Sequence, residues 1–171
     1  MTSPSGLALS QDCRPFVSHQ TIIVLDFGSQ YTQLIARRLR ELSVYSEICP
    51  PTTTLDALRA RKPAGIILSG GPKSVSDPGA PVCDPGVFEL GVPVLGICYG
   101  MQLMAHRLGG VVSAASHREF GHAVVRVSER TESSVLFAGV PDEIRVWASH
   151  GDFVAAPPPS FDIVATSANA P

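Results

Sequence analysis

No apolar run in these 171 residues approaches the ~20 that a membrane-spanning helix needs, so no membrane partner is expected. Residues Met1 to Gln20 lack a charged opening followed by an apolar stretch. That excludes a secretory signal in this segment and leads to an expected cytoplasmic location. The formal net charge is only −2, with no basic footprint, so nucleic acid is not an expected partner. Four cysteines stand at 13, 49, 83 and 98 with no CxxC pair, and free thiols are expected rather than bridges or zinc ligands. His117 and His122 have no ligand spacing, so no metal is expected. Phosphate-binding loops are missing too. Asp26-Phe27-Gly28-Ser29-Gln30 has one glycine where a dinucleotide fingerprint needs three. Ser69-Gly70-Gly71-Pro72-Lys73 lacks the spacing and the lysine–hydroxyl ending of a nucleotide loop. No cofactor is therefore expected in this chain, and no internal repeat is present.

What remains is a chain with 44% hydrophobic residues, enough for one domain with a sizeable core. Residues 1–20 read as a disordered extension. Strands are expected at Thr21–Phe27, Val44–Ile48, Gly65–Leu68 and Val92–Ile97, the last as a buried strand. Between them, Gln30–Leu42 reads as a helix with Leu34, Ile35, Leu39 and Leu42 inward. Leu55–Arg61 reads as a second, capped by Thr54. A short helical piece is expected around Val87–Leu90. After Cys98, the residues Met101, Met104, Ala105 and Leu108 mark the inward face of a third helix, stopped by Gly109-Gly110. Beyond it the pattern turns β-rich, with strands expected at His122–Ser128, Glu143–Ala148 and Phe161–Thr166 and a helical turn near Ser133–Phe137. This alternation predicts an α/β fold: an open, mainly parallel central sheet flanked by helices, with a β-rich C-terminal part.

In such sheets binding chemistry collects at the carboxyl ends of the strands. Gly28, Gly70-Gly71 and Cys98 all fall there. Cys98, between Gly96 and Gly100, stands on a tight strand-to-helix turn of the kind that lifts a nucleophile out of a sheet. A helix N-terminus favours thiolate, so a lowered thiol pKa is expected. The other reading is a small cysteine packed in the core. Attack on an amide carbonyl needs two donors for the developing oxyanion. The N–H groups of Gly71 and Tyr99 are the candidates, although Ser69–Pro72 could equally be an ordinary turn. Gln102, on the first turn of the helix, is free to face the crevice or to be solvated. Trp147–Asp152 ends a strand with polar residues around a glycine. His150 there is a candidate general base for Cys98 or a structural histidine. His106 is expected at the surface. Asp26 either reaches the crevice or caps the following helix.

The segment Gly96-Ile97-Cys98-Tyr99-Gly100-Met101-Gln102 resembles the nucleophile motif of the class I, triad-type glutamine amidotransferases, whose sheet is flavodoxin-like. Residues 25–38, 67–75 and 146–152 resemble the GMP synthase branch of that family. The resemblance covers residues 21 to about 167 and marks 21–171 as an amidotransferase domain incomplete at its C-terminus. It implies that Cys98 attacks the side-chain amide of glutamine, giving a γ-glutamyl thioester and ammonia. Gly71 and Tyr99 match the oxyanion hole. Gln102, Ser149, Gly151 and Asp152 match positions that hold the glutamine. In the family, ammonia passes to an ATP-pyrophosphatase domain or subunit, which uses ATP and Mg to adenylate XMP and aminate it to GMP. The family's base lies in a Gln-Phe-His-Pro-Glu segment, which these residues do not contain and which His150 does not replace. Two expectations follow: a glutaminase part of a GMP synthase, poorly active alone, or a non-catalytic module that binds glutamine or a synthetase partner.

Overall fold

Two three-residue runs, Ile23-Val24-Leu25 and Ile66-Ile67-Leu68, have no polar alternation, and both are buried. A strand apolar on every residue needs cover on both faces, which is the condition of a parallel sheet between helices. The computed structural model, which describes residues 20–128, 135–168 and 170 (apart from the side chains of 115–120 and 150), has that sheet. Its strands are β1 (Thr21–Leu25), β2 (Tyr45–Cys49), β3 (Gly65–Leu68) and β4 (Val94–Gly96), and its helices α1 (Thr32–Glu41), α2 (Leu55–Ala60) and α3 (Tyr99–Arg107). All the pairings are parallel, in the order β2-β1-β3-β4. That order is the start of the flavodoxin-like winding.

The core cluster takes Ile23 and Leu25 from β1 and Ile66 and Leu68 from β3. It adds Leu58 of α2, Val87 of a 3₁₀ turn (Pro85–Glu89), and Tyr99 and Leu103 of α3. Thr54 caps α2, its hydroxyl accepting from the Ala57 N–H at 3.4 Å. Gly109, with φ at 91°, follows the end of α3 as expected of a C′ glycine.

A second, antiparallel sheet follows: β5 (Val111–Val127), β6 (Glu143–Ala156) and β7 (Ala165–Thr166), in the order β6-β5-β7. The long β5–β6 ribbon breaks register between Ala114 and Glu119, whose partners are Asp152 and His150.

Several expectations are corrected. In α1, Leu34 and Leu42 are exposed at 44% and 75%, and the inward residues are Thr32 and Ala36. The Ser46 hydroxyl donates to the Ala36 carbonyl at 3.0 Å, and so close an approach of α1 to β2 admits only small side chains. The strand expected buried at Val92–Ile97 is β4, an edge of the described sheet with Leu95 39% exposed. In α3, which begins at Tyr99, the inward residues are Gln102, Leu103 and Ala105, while Met101 and Leu108 are exposed. The expected strand at 161–166 shortens to Ala165–Thr166, since the chain stays irregular after Pro157–Pro159. The helical turn near 133–137 is a 3₁₀ turn at Val135–Phe137, and residues 133 and 134 lie outside the described ones. Residues 1–19, including Cys13, also lie outside them.

Candidate active site

The turn between β4 and α3 exists because two glycines let backbones touch. A Cβ on Gly96 would stand 2.5 Å from the Met101 Cα, and one on Gly100 would stand 2.3 Å from the Leu68 carbonyl oxygen. The Gly100 N–H donates to the Ser69 carbonyl and the Ile97 N–H to the Leu68 carbonyl, which pins the turn to the end of β3. Cys98 sits at the apex with φ 48° and ψ −111°, a backbone region that L-residues rarely adopt. Such a residue costs about 1–3 kcal/mol and persists where its surroundings over-determine it. The turn leaves Cys98 exposed at the carboxyl end of the sheet.

Three strand ends meet at the turn. A Cβ on Gly70 would stand 3.6 Å from the Cys98 Cβ and 3.5 Å from the Ser29 Oγ. One on Gly71 would stand 2.7 Å from the Phe27 carbonyl oxygen and 3.3 Å from the Tyr99 Cγ. The glycine pair is therefore no ordinary turn but a close packing between the segments that follow β1 and β4. Neither the Gly71 N–H nor the Tyr99 N–H, the latter in the first turn of α3, has a hydrogen-bond acceptor among the described residues. Both are free to serve a ligand oxygen.

Cys98 is exposed, whereas Cys49 and Cys83 are buried. It opens onto a cavity of about 480 Å³ between α3 and the ribbon. Its lining includes the apolar Met101, Met104, Phe137, Val146 and Phe161 and the polar Gln102, Ser149, Asp152, Asp162, Thr166 and Ser167. The helix face read as inward thus faces this cavity through Met101 and Met104. Gly151 lies between two of the lining residues. The segment Ser149–Asp152 is the middle of β6, not the end of a strand.

Gln102 is only 5% exposed, and its Nε2 donates to the Asp152 carbonyl at 2.9 Å. It faces the junction of α3 and β6 rather than open solvent. The structure also resolves the alternatives at Asp26. Its Oδ1 accepts from the Gly28 N–H at 2.9 Å and the Thr32 hydroxyl at 2.7 Å, holding the β1–α1 turn. His106 is exposed. The side chain of His150 lies outside the described residues.

The expected low thiol pKa is overturned: the protein packed around Cys98 pushes its pKa up. A helix terminus contributes about 0.3–1 kcal/mol in ordinary settings. No described cation or donor offsets that burial here.

Three ties of the site were not read from the sequence. The Ser69 hydroxyl accepts from the Phe27 N–H at 2.9 Å. The Tyr99 hydroxyl donates to the Pro81 carbonyl at 2.6 Å while its ring leans on Phe27, centroids 5.4 Å apart. The third is the Gln102–Asp152 bond. The only sequence signal for any of them is a polar group set in an apolar stretch, which must find a partner once buried.

Residues 23–171 match the family model of glutamine amidotransferase class-I. The chain belongs to the class I glutamine amidotransferases. It is 57% identical over 155 residues to a glutamine-hydrolysing GMP synthase of Geobacillus kaustophilus, covering 91% of this chain and 30% of that protein. The corresponding protein of Syntrophomonas wolfei is 54% identical over the same share of each chain. The amidotransferase chain thus spans about 30% of the length of the curated relatives it matches. A solved structure from Thermoplasma acidophilum, a putative GMP synthase subunit protein, superposes with a TM-score of 0.75 at 34% identity, covering 89% of this chain and 75% of that one. A glutamine amidotransferase from Thermotoga maritima shares the fold, with a TM-score of 0.68 at 20% identity.

Proposed function

We propose that this amidotransferase domain is the glutaminase part of a GMP synthase. The observation that carries the reading is the strained Cys98 turn, opening onto a cavity lined by Gln102, Ser149 and Asp152, beside two N–H groups without an acceptor among the described residues. The Cys98 thiolate attacks the side-chain carbonyl carbon of glutamine. The oxygen takes up negative charge and the N–H groups of Gly71 and Tyr99 stabilise it. The tetrahedral intermediate collapses to a γ-glutamyl thioester as the amide nitrogen leaves, protonated, as ammonia. Water then releases glutamate and restores the thiol. Gln102, Ser149, Gly151 and Asp152 form the side of the cavity that holds the amino-acid end of the substrate.

The thiol must give up a proton, and burial opposes that. A histidine base is therefore essential to the proposal. The family's histidine–glutamate pair comes from outside these 171 residues, in further chain or in a partner. Ammonia goes on to an ATP-pyrophosphatase domain or subunit, where ATP and Mg activate XMP for amination to GMP. The location is cytoplasmic, where those substrates are made.

A diazoketone analogue of glutamine tests the site directly. In a version extended through the family's histidine segment it should alkylate Cys98 and no other cysteine, and millimolar glutamine should slow the reaction. Labelling that glutamine does not slow, or labelling at Cys49 or Cys83, would contradict the reading.

A further inference from the structure

A peptide between two glycines turns over more easily than any other, because a flip carries the second residue to positive φ, which glycine alone adopts readily. Neither Gly70 nor Gly71 has positive φ in this fold. Glycine is required at 71 for another reason: a Cβ there would stand 2.7 Å from the Phe27 carbonyl oxygen. The close packing of these segments thus leaves the Gly70–Gly71 peptide free to flip unless another group holds it.

Ser69 is placed to hold it. The residue is wholly buried. Its hydroxyl accepts from the Phe27 N–H at 2.9 Å and donates to the Gly70 carbonyl, also at 2.9 Å. Its N–H donates to the Leu25 carbonyl, and its carbonyl accepts from the Gly100 N–H. Ser69 is therefore fixed between β1 and α3 through its backbone, and its one hydroxyl proton is committed to Gly70. A trans peptide is planar, with its C=O and N–H on opposite sides. Holding the Gly70 carbonyl against the buried hydroxyl turns the Gly71 N–H the other way. The peptide lies beside Cys98, since a Cβ on Gly70 would stand 3.6 Å from the Cys98 Cβ.

We propose that Ser69 is a positioning residue: its hydroxyl locks the Gly70–Gly71 peptide so that the Gly71 N–H is presented to the Cys98 site. Without the hydroxyl, the buried Gly70 carbonyl has no described donor, and a flip turns it toward the open cleft. The consequence for the reaction rests on the proposed glutaminase reading, in which Gly71 is an oxyanion donor. The lock itself does not.

The test uses this chain for orientation and the version extended through the family's histidine segment for turnover, each as wild type, Ser69→Ala and Ser69→Thr. Alanine removes the hydroxyl and threonine keeps it. The residual dipolar coupling of the Gly71 N–H, measured without ligand, reports how the peptide is turned. In the wild type it should fit a single orientation fixed to the sheet. In Ser69→Ala it should depart from that orientation, since losing the partner of a buried carbonyl shifts the two populations by roughly tenfold. Glutamine turnover by the extended version should fall roughly tenfold in kcat/KM, inside the ~10²–10³-fold that one oxyanion donor is worth. Iodoacetamide, whose reaction uses no oxyanion donor, should label Cys98 at the wild-type rate, whereas a displaced Cys98 turn would change that rate. Threonine should restore both coupling and turnover. In the wild type, the Ser69 hydroxyl proton should exchange with water more slowly than that of exposed Ser76, a reading that needs no variant to fold.

A folded Ser69→Ala variant with the wild-type Gly71 coupling would overturn the proposal, even if turnover falls. So would a turned peptide with unchanged turnover, because its orientation would then have no consequence for the site. A Ser69 hydroxyl proton that exchanges as fast as that of Ser76 would overturn it as well. If the extended wild type releases no ammonia, the glutaminase reading fails, and the coupling and the hydroxyl proton still decide the lock.

Discussion

Cys98 combines two properties that seldom occur together: an exposed thiol and a surrounding that disfavours its thiolate. Access should dominate selectivity, and pKa should dominate rate. With limiting iodoacetamide, Cys98 should be modified well before Cys49 and Cys83. Its rate should still climb above pH ~9.5, where an ordinary thiol of pKa ~8.5 has levelled off. A plateau near neutrality, or earlier labelling of Cys49 or Cys83, would contradict this. The nucleophile's position was legible because Gly96 and Gly100 bracket it, and their missing Cβ atoms are what the turn requires. Its protonation was not legible, since desolvation comes from residues remote in sequence. The same glycines give a sharp stability test. Gly100→Ala would drive a methyl group onto the Leu68 backbone, which cannot swing aside as a side-chain end can. Overpacking of this kind costs about 1–3 kcal/mol, and backbone against backbone belongs at the upper end. Urea unfolding should show that loss, and a change under ~0.5 kcal/mol would mean that the turn is looser than described.

At the scale of elements, β3 was read to the residue, because four apolar residues between Ala64 and Ser69 leave a buried strand no other boundary. Thr54 was read correctly as the cap of α2 for the reason that makes it testable. Thr54→Ala should cost about 0.5–1 kcal/mol in a urea melt, the lower part of the capping range, since the bond is long and exposed. No loss at all would show that the cap contributes nothing. The inward faces of α1 and α3 were misread in part: Ala105 is buried and Met104 packs on the core as read, but Leu34, Leu42, Met101 and Leu108 are exposed. Periodicity marks which residues share a face, but not how near the helix lies to its sheet. In α1, the contact with Ser46 selects Ala36 over Leu34. In α3, the stripe of Met101 and Met104 is real, but it lines a cavity. The full length of β5 and β6 was not legible either, because bulges and interior glycines interrupt the alternation that signals a strand.

Across the whole molecule, the burial of Cys83 and Tyr99 sets an alkaline limit on stability. Both groups have their pKa raised by burial, so the folded chain keeps protons that the unfolded chain releases. Where the native state binds more protons, stability falls as pH rises. Their contribution is complete below the ordinary thiol pKa of ~8.5 and is lost as pH climbs through the raised folded values. Thermal melts should therefore decline steadily above pH ~8.5 and less so in Cys83→Ser. A melting temperature that is flat to pH ~10 would contradict it. The convergence of Gly28, Gly71 and Cys98 was legible from one rule, that the strands of a parallel sheet end together. The ribbon's part in the site was not, since only the fold carries β6 to α3. Membership of the class I glutamine amidotransferases is settled by the family match over residues 23–171, and the proposed turnover depends on a base from the family's histidine segment. General acid–base assistance is worth about 10²–10⁴-fold, far beyond what a helix terminus offers. The decisive measurement is ammonia release from glutamine by this chain, by Cys98→Ala, by His150→Ala, and by a version extended through the family's histidine segment. Near-background rates are predicted for the first three, with activity recovered in the extended version and lost again when that version carries Cys98→Ala. Robust turnover by the unextended chain that His150→Ala abolishes would contradict the account, because His150 would then be the base.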